Sequence, residues 1–214
     1  MCLFGIVFVD LNKIIFVKSF IISLFILLSF CQNSEKKELS KKDYSSYSKE
    51  ALLFCKRNKL ESTYYLLADL SIHSGKKRLF RYDFKNDTIT SSYMVSHGCG
   101  DSMWGQTFTK NSPKISNEVD SHCSSIGKYV IKERGVSQWG IKVKYVLHGK
   151  DKTNSNALDR AIVLHSWEKI PHGEIYPKGT PEGWGCPAVS NEAMREIDKT
   201  LKQSKKPVLL WVIK

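Results

Sequence analysis

The sequence carries no arginine-rich helix, no interleaving of aromatic and basic residues of the RNA-binding kind and no zinc-finger spacing, so nucleic acid is the weakest partner its charge suggests. It is also short of acid. Thirty-three lysines and arginines stand against 21 aspartates and glutamates, a formal net charge of +12. Much of the excess is lysine scattered along the chain, which leaves an acidic membrane surface, a wall polymer bearing carboxylates or plain solubility as its reading. There is no internal repeat and no second-domain boundary, and 214 residues suffice for one full core plus an appendage. An apolar fraction of 42% excludes wholesale disorder.

Charge nearly vanishes in one stretch. From Ile14 to Phe30, "IIFVKSFIISLFILLSF" is broken only by Lys18 and three serines, and its charge-free core, Phe20 to Phe30, is shorter than the ~20 residues a spanning helix needs. With Lys13 and Lys18 ahead of it, this is a signal-peptide pattern. The following "LLSFCQNSEKK" is similar to a bacterial lipoprotein signal with Cys31 as the lipid-anchor candidate, although Phe30 replaces the small residue such signals favour. Lipidation, an uncleaved anchor and a freely secreted product all export the domain, so a cell-envelope or periplasmic location is expected, membrane-anchored in the first two cases. Residues 1–31 are therefore read as signal or anchor, 32–47 as a polar, serine-rich tether, and 48–214 as the folded domain.

That domain opens on an imperfect helical stripe behind Ser48, with Cys55 on its core face. The texture then turns to short β-branched or alternating runs: "TYYLLADLS", "KRLFRYDF", "TITSSYMVSHG", "GKYVIKER", "GIKVKYVLHG", "RAIVLHSW" and "PVLLWVIK", punctuated by Gly75, Asn86-Asp87, Gly135 and Gly149. One helix interrupts them, "NEAMREIDKTLKQ", capped by Ser190, with Ala193, Met194, Ile197 and Leu201 on one face. The expected fold is mainly β, a twisted mixed sheet or sandwich with an N-terminal helix and one helix late in the chain.

Six cysteines in an exported chain invite a disulfide reading, but Cys2 lies in the signal region and Cys31 at its end. Cys99 and Cys123 flank one glycine- and serine-rich region and are the candidate bridge. With His97 and His122 they also offer ligand types zinc prefers, though not at the spacing of structural zinc sites. Neither a metal nor a cofactor is expected, and nothing in the sequence sets an oligomeric state.

Cys186 remains, in "EGWGCPAVS" (182–190), a thiol held in a turn between glycine and proline rather than inside an apolar run. Gly185 lets the backbone approach a substrate, Pro187 fixes the exit, and amides of the Trp184–Gly185 turn can converge on an oxyanion. A nearby helix N-terminus would lower the thiol's pKa. Its base is expected at His165, where a polar residue ends the apolar run "RAIVLHSW" and projects from the sheet.

These stretches resemble the L,D-transpeptidase catalytic domain family of peptidoglycan-remodelling enzymes, in its branch with Gly-Cys-Pro-Ala-Val at the nucleophile. "LLADLSIHSGKKRLFRYDF", "VSHG", "LHGKDKTNSNALDRAIVLHSW" and "GWGCPAVS" carry the resemblance, from about Tyr64 to the C-terminus. It implies Cys186 as nucleophile, His165 as general base and Gly185 as the glycine beside the nucleophile. Gly183 stands where the family usually has serine. His148, Arg160 and His97, in the matched stretches, are possible substrate-binding residues. The implied reaction releases the terminal D-alanine of a stem tetrapeptide through a Cys thioester, which an amine resolves to a cross-link or water to a shortened peptide. A wall-binding module that grips stem peptides without cutting them is the competing reading.

Overall fold

The structure, a computed structural model, describes residues 42–214. The expected signal segment, most of the tether and Cys31 lie outside the described residues. The chain divides between Tyr44 and Ser45, and every helix and strand among the described residues lies in Ser45–Lys214.

The first helix, α1 (Ser45–Arg57), begins three residues before the serine expected to cap it. A tertiary contact holds the added residues: the Tyr47 ring meets Trp211 edge-on, centroids 5.3 Å apart. Ala51 and Cys55 are buried on its core face, and burial, helped by Glu61, pushes the Cys55 thiol up to about 12. Lys56 and Arg57 in the last turn complement the helix dipole.

Eight strands form one mixed sheet in the order β3-β2-β1-β8-β4-β5-β6-β7. They are β1 (Tyr64–Asp69), β2 (Leu79–Asp83), β3 (Thr88–Tyr93), β4 (Gly127–Val136), β5 (Val143–Gly149), β6 (Val163–Ser166), β7 (Ala188–Val189) and β8 (Val208–Ile213). β1 and β8 run parallel in the middle, and every residue of both is buried. Strands covered on both faces read as unbroken apolar runs, as "YYLLAD" and "VLLWVI" nearly do. β5 alternates, sending Val143, Tyr145 and Leu147 inward.

One expectation needs correction, and one strand was not expected. Gly135 does not end a strand but pairs with Lys144 inside β4, because a register shift between Ile131 and Arg134 carries the ladder onward. The hairpin turn lies at 137–142, closed by Ser137 N–H to Lys142 O at 3.1 Å. β7 is the unexpected strand: two residues carry no periodicity from which to expect one, and only their parallel pairing with β6 makes them a strand.

Beyond Tyr93 the chain continues from β3 to the opposite edge of the sheet. Ser96 N–H donates to Ala188 O at 2.8 Å, Ala188 N–H returns to Ser96 Oγ at 3.1 Å, and Gly98 bridges Gly183. The sheet thereby curls into a nearly closed barrel, protecting edges that would otherwise expose unpaired amides. The second helix, α2 (Asn191–Gln203), has the length expected and starts at the Ser190 cap, whose side chain accepts from Ala193 N–H. Ala193, Met194 and Ile197 enter the main core beside Leu66, Leu210 and Leu164, with Leu201 partly buried against it. Truncating fully buried Met194 to alanine is worth ~2–5 kcal/mol. On the same helix, buried Asp198 accepts from Arg134 Nε at 2.7 Å and Tyr145 OH at 2.8 Å. No helix among the described residues is long and apolar enough to cross a membrane.

Candidate active site

Alternation along β6 sends Leu164 and Ser166 inside, both fully buried, and leaves Val163 and His165 half-buried on the other face. The parallel ladder to β7 pairs His165 with Ala188, two residues past Cys186. Two residues back along β6, Val163 N–H donates to Cys186 Sγ at 3.4 Å. The two residues expected to work together therefore sit close by, His165 on β6 and Cys186 in the turn two residues ahead of its neighbour β7. No hydrogen bond joins them here; the Cys186 thiol donates instead to Ala161 O at 3.8 Å.

His165 Nδ1 lies 2.9 Å from the Ser166 carbonyl, which can only accept, so Nδ1 carries the ring proton and Nε2 keeps its lone pair. Burial pushes the imidazole below its usual value against the pull of the Ser166 carbonyl and Glu168, and Lys144, paired with His165 across β5, adds to the lowering. Burial likewise pushes the Cys186 thiol up, against the Val163 amide, Arg160 and Lys144. Both groups rest neutral at pH 7. The expected lowering of the thiol by a helix N-terminus is absent because β7 and Ser190 separate Cys186 from α2, and a helix dipole acts over about one turn.

The turn carrying the thiol is held from both sides by residues 97–125. Gly183 N–H donates to His97 O at 2.8 Å, Cys99 N–H to Gly183 O at 2.7 Å, and Gly105 N–H to Glu182 O at 2.9 Å. Gly185 has φ +97°, and a Cβ there would lie 2.3 Å from Cys123 O, so only glycine fits. Among the described residues no hydrogen bond uses the N–H of Trp184, Gly185 or Cys186. Gly183 is different: an added side chain would meet nothing within 4 Å.

The other candidates from the sequence have varied surroundings. Arg160 spans the loop, donating to Ser116 O at 3.0 Å, to Ser125 Oγ at 3.1 Å and to Cys123 O, with one terminal nitrogen also against Gly185. His148 bonds Glu133 at 2.7 Å on β5, four residues along from the strand partner of His165. His97 is fully buried, its Nδ1 2.6 Å from Arg78 and its Nε2 2.7 Å from Thr109 Oγ1. With both ring nitrogens engaged and no surface exposed, it offers a substrate nothing in this structure. Cys99 and Cys123 are both free, buried thiols rather than a disulfide. Among the described residues no group of three or more His, Cys, Asp or Glu side chains is placed to hold a metal ion.

Sequence reasoning missed the polar core beneath the turn. Arg78, His97 and Glu182 are all fully buried; Glu182 Oε1 accepts Thr109 N–H at 2.6 Å and lies 3.6 Å from His97 Nε2. Burial pushes the Glu182 carboxyl up, but His97 and the Thr109 amide outweigh it and hold it below the usual carboxylate range. Arg78 also donates twice to Val95 O and once to Ile72 O, which satisfies a buried guanidinium. No local signal marked them: Arg78 follows two lysines, His97 and Glu182 each precede a glycine, and their partners are up to about a hundred positions apart.

A curled mixed sheet with a thiol in a braced Gly-Trp-Gly-Cys turn, next to a histidine of fixed tautomer, defines a class before any comparison. The L,D-transpeptidase catalytic domain family matches residues 35–210, and the chain belongs to that family, whose activity is peptidoglycan-related. Among solved structures, the L,D-transpeptidase from Xylanimonas cellulosilytica is 12% identical, with 75% of this chain and 68% of that one covered at a TM-score of 0.41. The helical cell shape determining protein Pgp2 from Campylobacter jejuni is 11% identical, with 70% of this chain covered at a TM-score of 0.39. This chain spans 47% of the Campylobacter protein's length. Among curated proteins none matches the sequence.

Proposed function

We propose that Cys186 and His165 carry out acyl transfer on peptidoglycan stem tetrapeptides. His165 Nε2 takes the thiol proton as sulfur bonds to the carbonyl carbon of the L-centre of the diamino acid. Charge develops on the carbonyl oxygen, to which the amides of Trp184, Gly185 and Cys186, unspent within the fold, donate. Collapse breaks the bond to D-alanine, whose nitrogen leaves with the proton from His165, and a thioester remains. A second stem's amine attacks it, sulfur departs, and the thiol regains a proton.

The observation that carries this reading is the His165 Nδ1 contact with Ser166 O, which leaves Nε2 as a neutral base two residues across the ladder from the nucleophile turn. A thiol that rests protonated beside a neutral imidazole transfers its proton only as bond formation begins, and active-site hydrogen bonds that are loose in a free enzyme commonly tighten around substrate. The chain acts outside the cytoplasmic membrane, where peptidoglycan lies, exported by its N-terminal segment and anchored through Cys31. Incorporation of a radiolabelled fatty acid, lost in Cys31→Ala, tests the anchor.

The test of the reaction is incubation of the protein with a disaccharide tetrapeptide and mass spectrometry of the products, beside Cys186→Ala. Release of D-alanine that needs the thiol supports acyl transfer, with dimer marking transpeptidation and free tripeptide marking carboxypeptidation. No release and no carbapenem adduct in reducing buffer would leave a non-catalytic wall-binding module.

A further inference from the structure

Four of the five tryptophans meet in one place. Trp104 stacks on Trp167, centroids 5.0 Å apart and planes 27° from parallel; Trp139 and Trp184 flank Trp104 at 6.0 and 6.5 Å. His122 stacks on Trp184 at 5.1 Å, and Lys169 Nζ stands 5.4 Å from the Trp104 ring centre. The rings come from separate segments: the stretch between β3 and β4, the β4–β5 turn, the residue after β6 and the nucleophile turn. Such convergence is not a by-product of local sequence.

Trp167 is the floor, 3% exposed, and its Nε1 is buried without a hydrogen-bond partner. Above it the indoles of Trp104, Trp139 and Trp184 are 38%, 41% and 61% exposed. Soluble proteins rarely leave contiguous large rings in water unless a ligand covers them. The shelf is built from ring-to-ring and cation-to-ring contacts, which suits a flat partner carrying both C–H and hydroxyl groups better than an aliphatic peptide face. A pyranose ring is such a partner: its axial C–H groups lie against the negative face of an indole while its rim hydroxyls meet Lys169 and His122.

Position supports the same occupant. Trp184 is two residues from Cys186 and Trp167 two from His165, so the shelf begins no more than roughly 7 Å of backbone from Cys186. The third residue of an extended peptide lies about 10 Å from its point of attachment. We propose that the Trp104–Trp139–Trp184 shelf binds sugar rings of the glycan strand and so presents the attached stem peptide to Cys186. The sugar contact stands on the shelf alone; the presentation step rests on the acyl-transfer reading.

The probe is the N-acetylglucosamine tetramer, titrated into full-length protein and into Cys186→Ala while tryptophan emission is followed. Saturable quenching is expected in both, with affinity reduced about tenfold, ~1.4 kcal/mol, in Trp139→Ala and in Trp104→Ala. Trp139→Ala is the primary variant, since its ring is on the periphery; a circular dichroism melt checks that each variant folds. In the reaction, wild type should prefer disaccharide tetrapeptide over free tetrapeptide in kcat/KM, and either variant should narrow that ratio. No saturable quenching in wild type at roughly 10 mM tetramer, a concentration that detects even the weakest specific binding, or equal affinity in both variants, overturns the proposal. So does protein concentration-dependent self-association that Trp139→Ala abolishes without any response to sugar, which would make the shelf a contact between copies. Sugar binding without D-alanine release keeps the shelf and removes the acyl-transfer reading; release at equal rates from both substrates keeps the acyl-transfer reading and overturns presentation by the shelf.

Discussion

His97 and His165 bracket the same turn and are used in opposite ways. His97 accepts Gly183 N–H with its carbonyl, and its ring is locked between Arg78 and Thr109 in a fully buried site. The backbone of His165 reaches Pro187 O on the far side of the turn, and only its Nδ1 is engaged. Both imidazoles are pushed down by burial. What separates the brace from the proposed base is the free nitrogen, not the pKa: a histidine with no unshared lone pair at the surface cannot take a substrate-linked proton.

The largest effect should come from reversing the two roles. His165→Gln is expected to lower acyl-transfer turnover about 10²–10⁴-fold while the melting midpoint stays within a few degrees. His97→Gln should do the opposite, lowering the midpoint with turnover per folded molecule within a few-fold. Matched effects in the two assays would erase the distinction. Next comes Glu182→Gln, which removes the charge partner of Arg78 and His97 and is expected to cost about 3 kcal/mol, read as ~6–12 °C in the midpoint.

A smaller effect is pH-dependent. Both imidazoles are held below the unfolded value of about 6.5, so the unfolded chain binds protons first as pH falls. Their stabilisation is complete above pH ~6.5 and is lost as pH drops toward and through the lowered folded values. Melting midpoints from about pH 8 to about pH 4.5 should decline in that window, less steeply in His97→Gln, while on the proposed mechanism, in which His165 is the base, kcat/KM keeps its acid limb. Smallest is Gly183→Ser. Open space and a φ outside the left-handed region leave stability within ~0.5 kcal/mol, measured by denaturant unfolding. A loss above about 1 kcal/mol would show that the turn does not tolerate a hydroxyl at this position.

The folded domain's strands and its late helix were legible because their signals are local. "VLLWVI" is apolar throughout and "VKYVLHG" alternates, and each landed as a strand. Cys186 and His165 were legible for a related reason: a thiol between glycine and proline and a histidine ending an apolar run are both exceptions to the pattern around them. Arg160 and His148 stood out equally, yet one ties the loop behind Gly185 and the other pairs with Glu133. Sequence cannot separate such cases, because a polar side chain's role depends on which atoms its neighbours leave free.

By itself, then, the sequence determined the mixed β fold and the two chemical groups of the candidate site, since periodicity and turn chemistry act over a few residues. Tertiary structure alone decided the rest. It left Cys99 and Cys123 as thiols, and it made three long-range connections: it closed the sheet through Ser96 and Ala188, buried Arg78, His97 and Glu182 under the Cys186 turn, and gathered Trp104, Trp139, Trp167 and Trp184. Each joins residues tens of positions apart, and such contacts form only where burial of the whole core offsets the entropy of closing the loops between them.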